Sequence, residues 1–208
     1  MLTSQRTDFH VRTLAATVHG RFLVRDGPPA RLLVGFHGYA ENAERHLAEL
    51  LRIPGIDRWT VAAVQALHPF YAKKEVVASW MTSQERELAI ADNIQYVRSV
   101  VASFSPPRAL VFAGFSQGVA TAYRAATTHP NASGLIALAG DVPPDVIANI
   151  PPVLVARGTR DDWYDDRKLN QDLSFLASRT SVTTCLFDGG HEWTEEFRQA
   201  AGKFLSTF

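Results

Sequence analysis

Midway along this chain an uncharged run, Ala109–Gly114, gives way to an amphipathic stretch beginning at Gln117. Only Gly114-Phe115-Ser116-Gln117-Gly118 joins them. A buried strand passes into a helix over so few residues only through a sharp, strained corner. Glycines on either side of Ser116 leave the backbone room that such a corner needs. The corner therefore commits this part of the chain to a strand and a helix packed back upon it. Repeated along a sequence, that unit gives a mostly parallel sheet covered by helices.

The same alternation recurs. Arg31–Phe36, Thr60–Leu67, Gly134–Gly140, Pro152–Gly158 and Val182–Phe187 read as further buried strands. Between them Glu41–Leu51, Ser83–Phe104, Gln117–Thr128, Arg167–Ala177 and Thr194–Leu205 read as helices. In the first of these Leu47, Leu50 and Leu51 share a face. In the longest, Leu88, Ala91, Ile94, Val97, Val101 and Phe104 form one apolar stripe. Thr82 and Glu85 fit a capping box at its start, and Pro106-Pro107 enforce its end. Residues 11–24 predict two strands turning near His19-Gly20, an antiparallel hairpin at the sheet edge. The segment between Gly140 and Pro152 is too short to build a large lid.

Composition narrows the function classes. Of 208 residues 46% are hydrophobic and 20% charged, so the chain has an ordinary globular core that needs no disulfide or metal staple. Lys plus Arg and Asp plus Glu are 21 each, which leaves no net field to gather nucleic acid or an anionic membrane. A single cysteine, Cys185, excludes an internal disulfide and reads as an inert core thiol. The N-terminal residues MLTSQRTDFHVRT contain no signal-peptide core. No run approaches the roughly 18 apolar residues of a membrane helix. The expectation is a cytoplasmic protein of one domain spanning residues 1–208, either monomeric or homodimeric. Phosphate-loop and dinucleotide fingerprints are missing. His10, His19, His46, His68 and His129 show no ligand spacing, so no metal is expected.

The chemistry gathers at strand ends. A serine is a weak nucleophile without a base, and the base needs an orienting acid. Past the strand ending at Gly158 comes Thr159-Arg160-Asp161-Asp162, and past Phe187 comes Asp188-Gly189-Gly190-His191. Ser116, Asp161 and His191 thus occur in the order Ser, Asp, His, each just beyond a strand's carboxyl end. Asp161 is preferred over Asp162, Asp165, Asp166 and Asp188. Asp165 and Asp166 suit a helix N-terminus, and Asp188 suits the turn before His191. A fourth loop, Phe36-His37-Gly38-Tyr39, also follows a strand. Backbone N–H groups of Tyr39 and Gln117 are candidates to hold the oxyanion of a tetrahedral intermediate, with His37 structural. Trp163, Trp193, Phe70 and Tyr71 are candidate walls of a substrate pocket.

These motifs resemble those of the α/β-hydrolase superfamily, and within it the phospholipase/carboxylesterase family that includes acyl-protein thioesterases. The resemblance runs from the early His-Gly turn to the final Gly-His. GFSQG matches the family's Gly-Phe-Ser-Gln-Gly in full. Where the family has Leu-His-Gly-x-Gly-Asp, this chain has FHGYAE, with Ala40 and Glu41 departing. Where it has His-Gly-x-x-Asp followed by Val-Val-Pro, this chain has RGTRD followed by Asp162-Trp163-Tyr164, with Arg157 at the usual histidine. The resemblance implies an α/β-hydrolase fold with helices on both faces of the sheet and no large lid. It also implies hydrolysis of a small-molecule carboxylic ester without a cofactor. A thioesterase or lysophospholipase uses the same machinery. A catalytically silent hydrolase-fold binding module is the alternative of another class.

Overall fold

The computed structural model describes residues 10–208. Its strands are β1 (Phe22–Arg25), β2 (Arg31–Phe36), β3 (Thr60–Val64), β4 (His68–Ala72), β5 (Glu75–Ser79), β6 (Ala109–Phe115), β7 (Gly134–Leu138), β8 (Val153–Gly158) and β9 (Val182–Phe187). Its helices are α1 (Ala43–Leu50), α2 (Arg86–Ala102), α3 (Gln117–Thr128), α4 (Asp166–Leu176) and α5 (Glu195–Leu205). Seven strands form one sheet in the order β1-β3-β2-β6-β7-β8-β9, parallel throughout except that β1 runs antiparallel to β3.

The continuous apolar runs follow from burial on both faces. Leu32, Val34, Phe36, Leu110 and Phe112 point to one side, where Val97 and Val101 of α2, Ala122 and Tyr123 of α3, and Leu169 and Leu176 of α4 cover them. Leu33, Val111, Ala113 and Leu154 point to the other, against Leu50 of α1 and Phe197, Ala201 and Leu205 of α5. Each such side chain, taken fully out of water, contributes about 1.5–3 kcal/mol. β6 lies centrally, which puts the Ser116 corner over the best-buried part of the sheet.

Several expectations need correction. Residues 10–21 form no strand, and only Phe22–Arg25 joins the edge. Its partner is β3 rather than the segment before it, because Tyr96 holds the Arg21 carbonyl through its hydroxyl at 2.7 Å and its ring fills the space beside Gly20. β3 stops at Val64. Beyond it, Gln65 Oε1 caps the Ala43 N–H at 2.7 Å and the Ala66 N–H donates to His37 at 3.1 Å.

The hairpin β4–β5 has no counterpart in the sequence reading. Its turn is Lys73-Lys74, both at positive φ without the glycine or asparagine that marks such turns. Helix α2 starts at Arg86, not Ser83. Thr82 Oγ1 takes the Gln84 N–H at 3.2 Å instead, and Glu85 sits left-handed at φ 48°, so no capping box forms. The buried face of α2 is Ala89, Asn93, Val97, Val100 and Val101, while Leu88 and Ala91 are exposed. In α1 the inner face is Ala43, His46 and Leu50, and Leu51 lies outside. The connection from β7 to β8 carries no helix or strand, and no large lid covers the sheet's carboxyl edge.

Candidate active site

Ser116 stands at the corner between β6 and α3 with φ 52° and ψ −121°, a conformation that costs a residue with a side chain roughly 1–3 kcal/mol. Neighbouring elements hold it there. Its N–H donates to Leu138 O of β7 at 2.9 Å, and its carbonyl accepts from Val119 at 3.0 Å. A β-carbon on Gly118 would stand 2.1 Å from Phe36 O and 2.6 Å from His37 O, so only glycine lets α3 approach the loop after β2 this closely.

That loop accounts for its donors one by one. The Gly38 N–H goes to Glu41 Oε2 at 2.8 Å, Ala40 to Ala78 O at 3.1 Å, and Glu41 to Gly38 O at 3.3 Å. Among the described residues the Tyr39 N–H meets no acceptor. The Gln117 N–H, first in α3, lacks one for the general reason that helix starts do. Two free donors thus flank the Ser116 corner, one on each side of the Gly118 contact. Ala40 is at φ 57°, and the residue there in the resembling motif is glycine.

His37 is buried and structural. Its Nε2 accepts the Ala66 N–H at 3.1 Å, so Nδ1 donates to Gly38 O at 2.7 Å, and burial keeps the ring below the ordinary histidine range. Glu41 is pushed above the ordinary carboxylate range by burial, against the Gly38 hydrogen bond that favours its charge.

Asp161 is 3% exposed and fully engaged. Its Oδ1 accepts from Trp163 N at 2.8 Å and Tyr164 N at 3.0 Å, and its Oδ2 faces His191 Nδ1 at 2.9 Å. A carboxylate only accepts, so Nδ1 carries the proton and Nε2 is left as an acceptor. The two loops meet because a β-carbon on Gly158 would lie 2.3 Å from both Gly189 O and Gly190 O. Arg157, buried where the motif has histidine, ties the loop down through Gly158 O at 2.8 Å, Thr159 O at 3.1 Å and Asp166 at 2.9 Å.

The His191 ring lies against that of Phe115, the residue before Ser116, with centroids 5.0 Å apart. The described contacts include no hydrogen bond from Ser116 Oγ to the imidazole, a link that in ligand-free enzymes is often long. Asp162 is exposed, Asp165 caps α4 through Lys168 N at 2.9 Å, and Asp188 pairs with Arg160 in solvent.

No protein-family model matches the sequence, and no curated protein matches it. Solved structures do. An esterase named PE8 superposes with a TM-score of 0.74 at 20% identity, covering 91% of this chain and 99% of that one. A Bacillus cereus carboxylesterase gives 0.73 at 16% identity, over 90% and 94%. Zea mays acyl-protein thioesterase 2 gives 0.72 at 18% identity, over 91% and 99%. The chain has the α/β-hydrolase fold.

On this α/β-hydrolase scaffold the four expected pocket aromatics divide. Phe70, on the β4–β5 hairpin, packs its ring against that of Tyr39, with centroids 5.7 Å apart. Trp193 is half-buried between Phe115, Phe197 and His46. Trp163 and Tyr71 are 75% and 79% exposed. Trp80 belongs to the core, its Nε1–H donating to His37 O at 2.8 Å. A cavity of about 620 Å³ opens elsewhere, between Val18–Arg21, Asn42 and Val76, and none of the expected site residues lines it. Among the described residues, no three His, Cys, Asp or Glu cluster as metal ligands, and no helix is long and apolar enough to cross a membrane.

Sequence reasoning missed the side chains that brace the site. Gln117 Oε1 takes the Trp80 N–H at 2.9 Å and its Nε2 reaches Met81 O at 3.2 Å, stapling the hairpin exit to the corner. A polar residue inside an otherwise apolar corner was the available signal. Glu41 and Arg157 left only their departures from the resembling motifs.

Proposed function

We propose that this protein is a serine hydrolase that cleaves small carboxylic esters through an acyl-enzyme. The observation that carries this reading is the His191 Nδ1 to Asp161 Oδ2 contact of 2.9 Å, which leaves Nε2 as a base on the ring laid beside the Ser116 corner. In the reaction His191 Nε2 removes the Ser116 Oγ proton as Oγ bonds to the acyl carbon. The carbonyl electron pair moves onto oxygen, where the Tyr39 and Gln117 N–H groups stabilise it. Collapse breaks the bond to the leaving oxygen, which takes its proton from the imidazolium. Water then attacks the acyl-enzyme with His191 again as base, releasing the acid and restoring Ser116. Asp161 orients the ring and stabilises its cationic form throughout.

The likeness to an esterase, a carboxylesterase and an acyl-protein thioesterase supports ester or thioester cleavage as the reaction class. The absence of a large lid favours short and medium acyl chains. The test is covalent. A fluorophosphonate should label wild type at Ser116 and leave Ser116→Ala unlabelled, and butyrate esters should turn over faster than emulsified long-chain triglycerides. Labelling at another serine would sink the assignment. The reverse chain-length order would overturn the substrate class.

A further inference from the structure

The loop bearing Asp161 is anchored from beneath as well as from the site. Three residues after Asp161 the chain buries Tyr164 to 1% exposure. A tyrosine in a core needs a partner for its hydroxyl. Tyr164 donates to Asp172 Oδ2 at 2.8 Å, and Asp172 is itself buried, midway along α4. The same oxygen accepts the Val142 N–H at 3.0 Å, from the segment after β7. Meanwhile the Tyr164 N–H is one of the two donors that hold Asp161 Oδ1. One hydrogen-bonded line therefore runs from α4 through Tyr164 to Asp161 and on to His191. It occupies the stretch Asp162-Trp163-Tyr164, where the chain departs from the apolar Val-Val-Pro of the resembling motif.

We propose that Tyr164 and Asp172 are a positioning pair that sets the direction of the Asp161 carboxylate and, through it, the His191 ring. The proposal rests on the reading of Asp161 and His191 given above. Its physical basis is that the loop's other ties are to its backbone or, for the Arg160–Asp188 pair, lie in solvent. Arg157 holds Gly158 O and Thr159 O, the Thr159 N–H reaches Phe187 O, and Lys168 Nζ holds Trp163 O at 2.7 Å. Tyr164 is the loop residue whose side chain enters the core, so its hydroxyl fixes the tilt of the peptide that donates to Asp161. Freed of that bond, the peptide can rock and turn the carboxylate with it.

Tyr164→Phe removes one hydroxyl and keeps the ring. Asp172→Asn keeps an acceptor oxygen in place, and Asp172→Leu removes it. With a soluble acyl ester at about pH 8, Tyr164→Phe and Asp172→Leu should lower kcat about tenfold with KM within about twofold, while Asp172→Asn stays near wild type. The downfield proton NMR signal of His191 Nδ1–H should shift or broaden in Tyr164→Phe and stay put in Asp172→Asn. A Tyr164→Phe protein that melts earlier but keeps wild-type kcat and an unmoved His191 signal would overturn the proposal. So would Asp172→Asn falling as far as Asp172→Leu. Should Asp172→Leu fail to fold, Tyr164→Phe decides alone. A wild type that neither cleaves esters nor takes the fluorophosphonate refutes the hydrolase reading, and the NMR comparison still decides the positioning pair.

Discussion

Gly118→Ala adds one methyl at the point where α3 touches the loop after β2. The new β-carbon would stand 2.1 Å from Phe36 O, and bringing that contact even to 3.0 Å requires the two backbones to part by about 0.9 Å. Neither side yields easily. The His37 carbonyl is held by the Trp80 indole at 2.8 Å, and Val119, next to Gly118, is fully buried. Tyr39 and Gln117 lie on opposite sides of this contact, so the separation opens the distance between the two free donors.

A misplacement of about 1 Å costs roughly 10²-fold in rate. Overpacking of this kind costs about 1–3 kcal/mol, or about 2–4 °C in Tm per kcal/mol at this chain length. The assay pairs a thermal melt with kcat and KM on a butyrate ester. The expected variant is folded and melts several degrees lower, with kcat down about 10²-fold and KM changed far less. A variant that melts early yet keeps kcat within about twofold would refute the reasoning, because the strain would then have relaxed without moving the donors.

Asp161→Asn should lower kcat by about 10⁴, the cost of losing the orienting carboxylate in a related triad, while exposed Asp162→Asn stays within about threefold. The reverse ranking, in folded proteins, would move the role. His46 is buried with neither ring nitrogen hydrogen-bonded among the described residues, and burial pushes it down to about 3. Its folded-state value lies below the ordinary 6.5, so stability is held above that pH and drains as pH falls toward 3. His46→Leu should therefore gain a few degrees in Tm, and more at pH 5 than at pH 7; an advantage that does not grow on acidification would contradict this.

Asp172 moves the opposite way: burial raises it to about 6, so its contribution is complete below the ordinary 3.8 and is lost as pH rises through 6. The Tm of Asp172→Asn relative to wild type should be higher at pH 7.5 than at pH 4.5, and a pH-independent difference would count against the burial argument.

The sequence by itself determined the elements whose logic is local. A strand buried on both faces is apolar almost throughout, which is why Arg31–Phe36 is legible to the residue; Val182–Phe187, an edge strand with Thr183, Thr184 and Leu186 exposed, is legible from its β-branched run. The β6–α3 corner, with α3 over Gln117–Thr128, is equally legible, because glycine spacing carries it. The candidate residues Ser116, Asp161 and His191 were visible for a related reason: chain order and position after strands are properties of the sequence.

Tertiary structure decided what depends on a distant partner. Arg21 is held by Tyr96, so Phe22–Arg25 pairs with β3 and no edge hairpin forms. Glu85 turns left-handed and α2 rotates to bury Asn93, whose amide reaches the Trp80 carbonyl, a contact no periodicity encodes. Trp80 enters the core because the His37 carbonyl awaits its indole, whereas Trp163 stays outside. The braces Gln117 and Asp172 are polar side chains satisfied by groups brought near only by folding. An isolated sequence shows their capacity to hydrogen-bond, and the packed sheet decides with what.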